Sequence, residues 1–211
     1  MKQRVFVEAV ASIVVLVFAI GIWSTGAQVD LGWLRYYSCA VTAAVVVLWL
    51  WDRLLWKLPL AQRIPGVPRN LNGTWQGTLT SLWEDSHAGA APAPKPAYLV
   101  VRQTASAVSA ILFSDESRSV SSLAIVSSGD GTATLDYLYV GRPDIKVEDR
   151  SRMHNGSASL DVTGSTPTRL KGRYWTDRNS RGELDFTSRS SQRAEDFDEA
   201  VRLFTASAGE D

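Results

Sequence analysis

The stretch Arg69-Asn-Leu-Asn-Gly-Thr-Trp-Gln-Gly77 divides this chain into two kinds of sequence. Ahead of it stand two long apolar runs. Behind it stand short alternating segments bounded by turn residues. A long unbroken apolar run reads as a membrane helix and a short alternating run as a half-buried strand, so two separate units are required. Asn72-Gly73 is a turn signal, and Thr74 to Trp83 after it has the composition of a strand.

Val5 to Trp23 is apolar apart from Glu8. Its 19 residues span roughly 28 Å as a helix, close to the hydrocarbon thickness of a bilayer. A second run goes from Leu34 or Tyr36 to Trp51, after a loop holding Gly26, Asp30 and Gly32. Five of the eight tryptophans (Trp23, Trp33, Trp49, Trp51, Trp56) lie near the ends of these runs, where interfacial aromatics belong. Residues 1–58 are therefore expected to form a two-helix membrane hairpin, against the alternative of two buried core helices. Lys2 and Arg4 precede the first run, and Arg53, Lys57, Arg63 and Arg69 follow the second. The positive-inside rule puts both ends in the cytoplasm. A cleaved signal peptide ending near Ser24–Ala27 is the alternative, and leaves the C-terminal part on the same side. Ala40, Ala43 and Ala44, with Cys39, make a smooth helix face for close packing, within the chain or between chains.

Pro59, Pro65 and Pro68 end the second helix. Residues 59–72 then form a linker, 73–190 a strand-rich domain, and 191–211 a short helix and tail. Eight strands are expected, near 74–83, 97–104, 106–114, 118–127, 132–140, 153–163, 167–176 and 181–188. Gly129-Asp-Gly131, Gly164–Pro167 and Arg178–Gly182 read as turns, and His87–Pro96 as an extended, mobile loop. Gly156, Ala158, Leu160 and Val162 share one strand face, and Leu170, Gly172, Tyr174 and Thr176 another. Leu184 and Phe186 alternate with Glu183 and Asp185. Sequential hairpins with one apolar face give an eight-stranded antiparallel up-and-down β-barrel. The Gly-x-Trp opening of the first strand (Gly73, Trp75) resembles that of the lipocalin-type barrel. Ala194 to Phe204 has Phe197, Val201 and Phe204 at helical spacing, and Ala206–Asp211 reads as disordered.

Composition narrows the function. Net charge is zero, which offers no field for DNA or RNA. One cysteine and two separated histidines leave no metal-binding pattern, and no cofactor is expected. No hydrolase, zincin or phosphate-loop motif occurs, so the chain reads as a non-enzyme. One cluster carries chemistry. Tyr174-Trp-Thr-Asp-Arg178 ends the seventh strand, and Tyr137-Leu-Tyr-Val-Gly-Arg142 ends the fifth. Together Tyr174, Thr176, Arg178, Tyr137, Tyr139 and Arg142, with Ser119 and Ser121, supply guanidinium, rings and hydroxyls. An anionic nucleotide needs that set. Trp175 alternates to the other face. The bland alternative is core tyrosines and solvated arginines.

The hairpin followed by Asn-Leu-Asn-Gly-Thr-Trp-x-Gly resembles the two-transmembrane, β-strand-rich effectors of CBASS anti-phage operons. Val100-Val-Arg-Gln-Thr104, His154-x-Gly156 and Leu170–Arg178 are similar to that family as well. The resemblance runs from Val5 to Phe186. It implies a multi-pass protein of the bacterial inner membrane and a cyclic dinucleotide ligand made by a partner nucleotidyltransferase, a cyclic-oligonucleotide synthase. It further implies a homo-oligomer that ruptures the lipid bilayer in abortive infection, with Tyr174, Thr176 and Arg178 at the ligand. The alternatives are a membrane-tethered lipocalin-like barrel for an apolar small molecule, with Arg142 and Arg178 outside its lumen, and a membrane-anchored scaffold.

Overall fold

A computed structural model describes residues 2–25, 33–82, 93–129, 132–147 and 152–207, with side chains from Ala11 to Ser24 in the first helix and from Ser38 in the second. The chain forms two compact units, Met1–Ala61 and Gln62–Asp211.

The first unit holds α1 (Lys2–Thr25) and α2 (Trp33–Arg53). Gly21, Ala40 and Ala44 are the buried residues of their described side chains. Ala43 is half-buried and Cys39 exposed. Ala40 and Ala44 of the small face of α2 are thus covered within the unit, whereas Cys39 is not. Val15, Leu16, Ile20, Val45, Val46 and Trp49 stand exposed instead. Among the described residues, no helix is long and apolar enough to cross a membrane. The expectation of two membrane-length spans is therefore not met there. The described side chains of α1 begin past the first nine residues of that helix.

The second unit is a closed antiparallel barrel of eight strands in sequence order. They are β1 (Gly73–Ser81), β2 (Lys95–Gln103), β3 (Val108–Ser114) and β4 (Ser117–Gly129), then β5 (Thr132–Pro143), β6 (His154–Thr163), β7 (Arg169–Thr176) and β8 (Arg181–Ser190). A C-terminal helix, α3 (Phe197–Ser207), follows. Each strand pairs with the next, and β1 pairs with β8 to close the ring. Several boundaries differ from the sequence reading. Pro96 falls inside β2, where it sits opposite Thr78 near the strand start, a position that tolerates a missing N–H. Strands β4 and β5 run longer than expected: β4 reaches Gly129, opposite Thr132 at the hairpin, and β5 runs on through Pro143, opposite Ser117 at the start of β4. Helix α3 extends over Ala206 and Ser207. Of the expected loop His87–Pro96, residues 87–92 lie outside the described residues, as do Asp130 and Gly131 of the expected turn.

One end of the barrel is filled. Leu71, Trp75, Leu99, Val101, Leu135, Leu160, Leu170 and Phe186 belong to one buried cluster. The chain closes this end with hydrogen bonds between the segment 69–72 and Gln103. Gln103 Oε1 accepts from the Leu71 N–H at 2.9 Å, and its amide donates to the Arg69 carbonyl at 2.9 Å. The Asn72 side chain donates to the Gln103 carbonyl and accepts from its N–H. The Trp75 indole donates to the Leu71 carbonyl at 2.9 Å, and the Arg189 guanidinium lies 5.1 Å from its ring centre. Gly-x-Trp therefore acts as a plug, with the polar tip of the indole satisfied.

Helix α3 covers part of the outer wall. Phe197, Val201 and Phe204 pack with Tyr98, Val100 and Phe113 of β2 and β3. Asp196 caps its first turn, accepting from the Glu199 N–H at 2.7 Å. Elsewhere on the wall, Leu123, Leu138 and Trp175 lie in one row across β4 to β7 and are exposed.

Gln103→Leu should leave the Leu71 N–H and the Arg69 carbonyl without partners in the filled end. Each such loss costs about 1–3 kcal/mol. A destabilisation of about 2–4 kcal/mol is expected, read as a lower denaturant midpoint by near-ultraviolet circular dichroism of the full chain.

Candidate functional site

The inward-facing residues change character along each strand. On β5 they run from Ala133 and Leu135 to Tyr137, Tyr139 and Gly141. On β7 they run from Leu170 to Tyr174 and Thr176. On β4, Val126 and Ala124 are inward in the filled half, and Ser119 and Ser117 line the other end. A register shift between Ser121 and Leu123 makes this change of phase possible. The barrel is thus apolar at the Trp75 end and polar-aromatic at the opposite end.

That polar end holds a cavity of about 150 Å³. Tyr137, Tyr139, Tyr174, Ser119, Thr176 and Arg178 all line it. Six of the residues singled out from the sequence are therefore brought together. Two are not. Arg142 points outward, because Tyr139 and Gly141 take the inward positions on β5. Ser121 is committed to the backbone: its hydroxyl accepts from the Ala110 N–H at 2.9 Å, just past Ile111, where the described pairing of β3 with β4 ends. Trp175 faces outward and is exposed, as its alternation requires.

Sequence reasoning left out His154, Ser114, Ser117 and Ser180, which also line the cavity. The signal for His154 was present. Gly156 faces inward on β6, so His154 two residues earlier does too.

Three rings lie across three glycines of neighbouring strands. Tyr139 stands over Gly156, Tyr174 over Gly182 and His154 over Gly141. A Cβ at any of the three would overlap the ring. The glycines let the rings lie against the wall and leave the middle open. Tyr139 also sits 5.8 Å from Tyr137 and 6.2 Å from His154, centre to centre.

Arg178 is held at the rim by a three-residue loop. The Thr176 N–H donates to the Ser180 carbonyl at 2.9 Å. Asn179 takes φ 60°, a left-handed conformation that asparagine tolerates. The Thr176 and Ser180 hydroxyls are 2.6 Å apart. Asp177 ties the loop to β6: its N–H donates to the Asn155 carbonyl, and its carboxylate accepts from the Asn155 N–H at 3.0 Å. Those Asn155 contacts, the backbone N–H first, hold the Asp177 carboxyl below the usual carboxylate range.

Burial is the largest cause that pushes the Tyr137, Tyr139 and Tyr174 hydroxyls up, so all three stay protonated. Each can donate as well as accept. Tyr174 is hydrogen-bonded to Ser81. The Tyr137 hydroxyl is buried with no hydrogen-bond partner among the described residues. Burial, ahead of the nearby Arg178 charge, pushes His154 down from its usual value, against the opposing effects of the Arg152 carbonyl and Asp177.

An eight-stranded barrel filled at one end, with an aromatic and hydroxyl-lined pocket under an arginine at the other, is a binding barrel for a small polar ligand. A lumen lined only by apolar groups, with Arg178 outside it, is not what this lining offers. The pattern of the Cap15 cyclic dinucleotide receptor domain matches residues 66–188. The chain belongs to that family. It is also similar to the CD-NTase-associated protein 15 of Staphylococcus schleiferi, 27% identical over 155 residues that cover 74% of this chain and 80% of that protein.

His154 gives a test of this geometry. The unfolded chain protonates it near its ordinary 6.5. The folded site, with its lower value, resists that proton. Stability is therefore complete above about pH 6.5 and falls as pH drops from there towards the lower folded value. His154→Gln should flatten that fall in thermal melts. Gly141→Ala should drive the ring off its glycine and raise the His154 pKa towards 6.5, read by NMR titration of the imidazole protons.

Proposed function

We propose that this protein is a membrane effector of anti-phage defence. Its barrel binds a cyclic dinucleotide at the open end, and a partner nucleotidyltransferase makes that ligand. Binding then drives assembly and disruption of the bacterial inner membrane, as a non-enzymatic step in abortive infection.

The carrying observation is the lining of the cavity in a member of a cyclic dinucleotide receptor family. Arg178 offers a charge-assisted donor fork to a phosphate. Tyr139, Tyr174 and His154 offer ring faces to bases, and Ser119 and Thr176 offer hydroxyls. The name of the staphylococcal relative supports the link to a nucleotidyltransferase.

The helical hairpin supports the membrane part. Its described buried residues are glycine and alanine, and its exposed ones include Val15, Leu16, Ile20, Val45 and Trp49. Small residues inside and large apolar residues outside is the arrangement of helices that pack in lipid. In water it would be an apolar surface in need of cover. A ligand shifts an equilibrium only by binding one state better than another. Assembly of the liganded form must therefore present a better site than the lone barrel does. The exposed row Leu123, Leu138 and Trp175 is wall that a second copy would cover.

Two measurements test this. The purified full chain, titrated calorimetrically with cyclic di-AMP, cyclic di-GMP, cyclic GMP–AMP and cyclic UMP–AMP, should bind at least one. Arg178→Ala should weaken that binding about 10- to 150-fold, whereas Arg142→Ala, on the outer wall, should leave it unchanged. In cells, a reporter fused after Asp211 should be active in the cytoplasm. Supplying the bound nucleotide should admit a membrane-impermeant dye into cells that carry the wild-type chain. Cells carrying Arg178→Ala should stay sealed.

A further inference from the structure

We infer that the cavity is a subsite for one base of the ligand, entered edge first, and that the Tyr137 hydroxyl at its floor reads that edge. The inference rests on the receptor reading above and adds the part of the ligand that enters.

Size comes first. Pockets that enclose a whole drug-sized ligand measure roughly 300–1,000 Å³. This one is about 150 Å³. A dry cavity of about that volume takes up benzene. One ring system fits, and two nucleotides do not.

Charge decides which part enters. Arg178 lies on the loop at the rim. Below it the lining is Leu79, Leu112, Leu184, Ser119 and Tyr137, with no charge. A phosphate taken there would leave water without a counter-charge, at high cost. A base is neutral, apolar on its faces and polar along its edge. The ring of Tyr139 beside the cavity suits a face, and a floor with a polar atom suits an edge.

Tyr137 supplies that atom. It is 4% exposed, one inward step below Tyr139 on β5, and its hydroxyl has no partner among the described residues. Leaving a buried hydroxyl unpaired is unfavourable, and phenylalanine would pack in the same place without that penalty. Tyr137 lines the cavity, and a buried hydroxyl there without a partner is placed for one that arrives with the ligand. It both donates and accepts, so it can meet a carbonyl oxygen or a ring nitrogen.

The test is Tyr137→Phe in the full chain. Without ligand, the melting temperature should hold or rise, which shows that the hydroxyl has no structural duty. In titrations with the same four cyclic dinucleotides, affinity for the best-bound one should fall about 5- to 20-fold, in the range of one lost hydrogen bond. The loss should differ between probes with different bases, because the edge is what differs. An equal loss for all four would place Tyr137 at the shared phosphate-sugar ring and overturn the subsite. Unchanged affinities would overturn it as well, with the receptor reading intact. No binding of any probe by the wild-type chain would overturn both. A lower melting temperature would assign the hydroxyl to the fold and also count against the inference.

Discussion

Closure of β1 onto β8 is the constraint on which the rest of the barrel depends. An open sheet of eight strands would leave two edges of unpaired N–H and C=O groups. Closure removes both, but only if the first and last strands twist enough to meet. The register shift between Gln76 and Gly77 occurs there. A Cβ on Gly77 would run into the Asp185 carbonyl, so the backbones approach closely where the seam bends. Once the seam is shut, every strand has one inward face, and alternation decides what the lumen contains.

The lumen is divided lengthwise. Trp75, Phe186 and the leucines of β2, β5, β6 and β7 fill one end as a buried apolar cluster. The other end spends its inward positions on tyrosine, serine, threonine and glycine. Stability and binding are thereby separated along the barrel axis. The filled end holds the ring together, so the pocket end need not. Six of the residues put forward for binding collect at that pocket end.

Much of this was legible because a strand's period is two. Gly156, Ala158, Leu160 and Val162 announced the inner face of β6, and the paired hairpins announced the strand order. Arg142 was misplaced for an equally simple reason. It was grouped with Tyr137 and Tyr139 as a strand-end cluster, yet an odd offset from Tyr139 puts it on the outer wall. Ser121 was harder. It lies on the inward phase of β4, but the register shift beside it ends pairing with β3, and its hydroxyl takes up the Ala110 N–H there. A bulge in one strand has no signature in local composition. The pairing of Gln103 with Asn72 was invisible for another reason: it joins residues 31 apart through side-chain amides.

The glycines explain why the pocket exists at all. Eight strands enclose a space that side chains alone can fill. A ring opposite a residue with a Cβ must lean into the lumen. Opposite Gly141, Gly156 and Gly182, the rings of His154, Tyr139 and Tyr174 instead lie on the neighbouring backbone. The width of the cavity is then set by hydrogen-bonded strands and by rings stacked on them, rather than by flexible side chains. Tyrosine adds to this because it has few rotatable bonds to immobilise. A wall built that way is ordered before any ligand arrives, so little further ordering opposes binding. The same geometry makes the pocket sensitive to single atoms. One added methyl group on a wall glycine moves a ring, and a ring is a large fraction of a space this small.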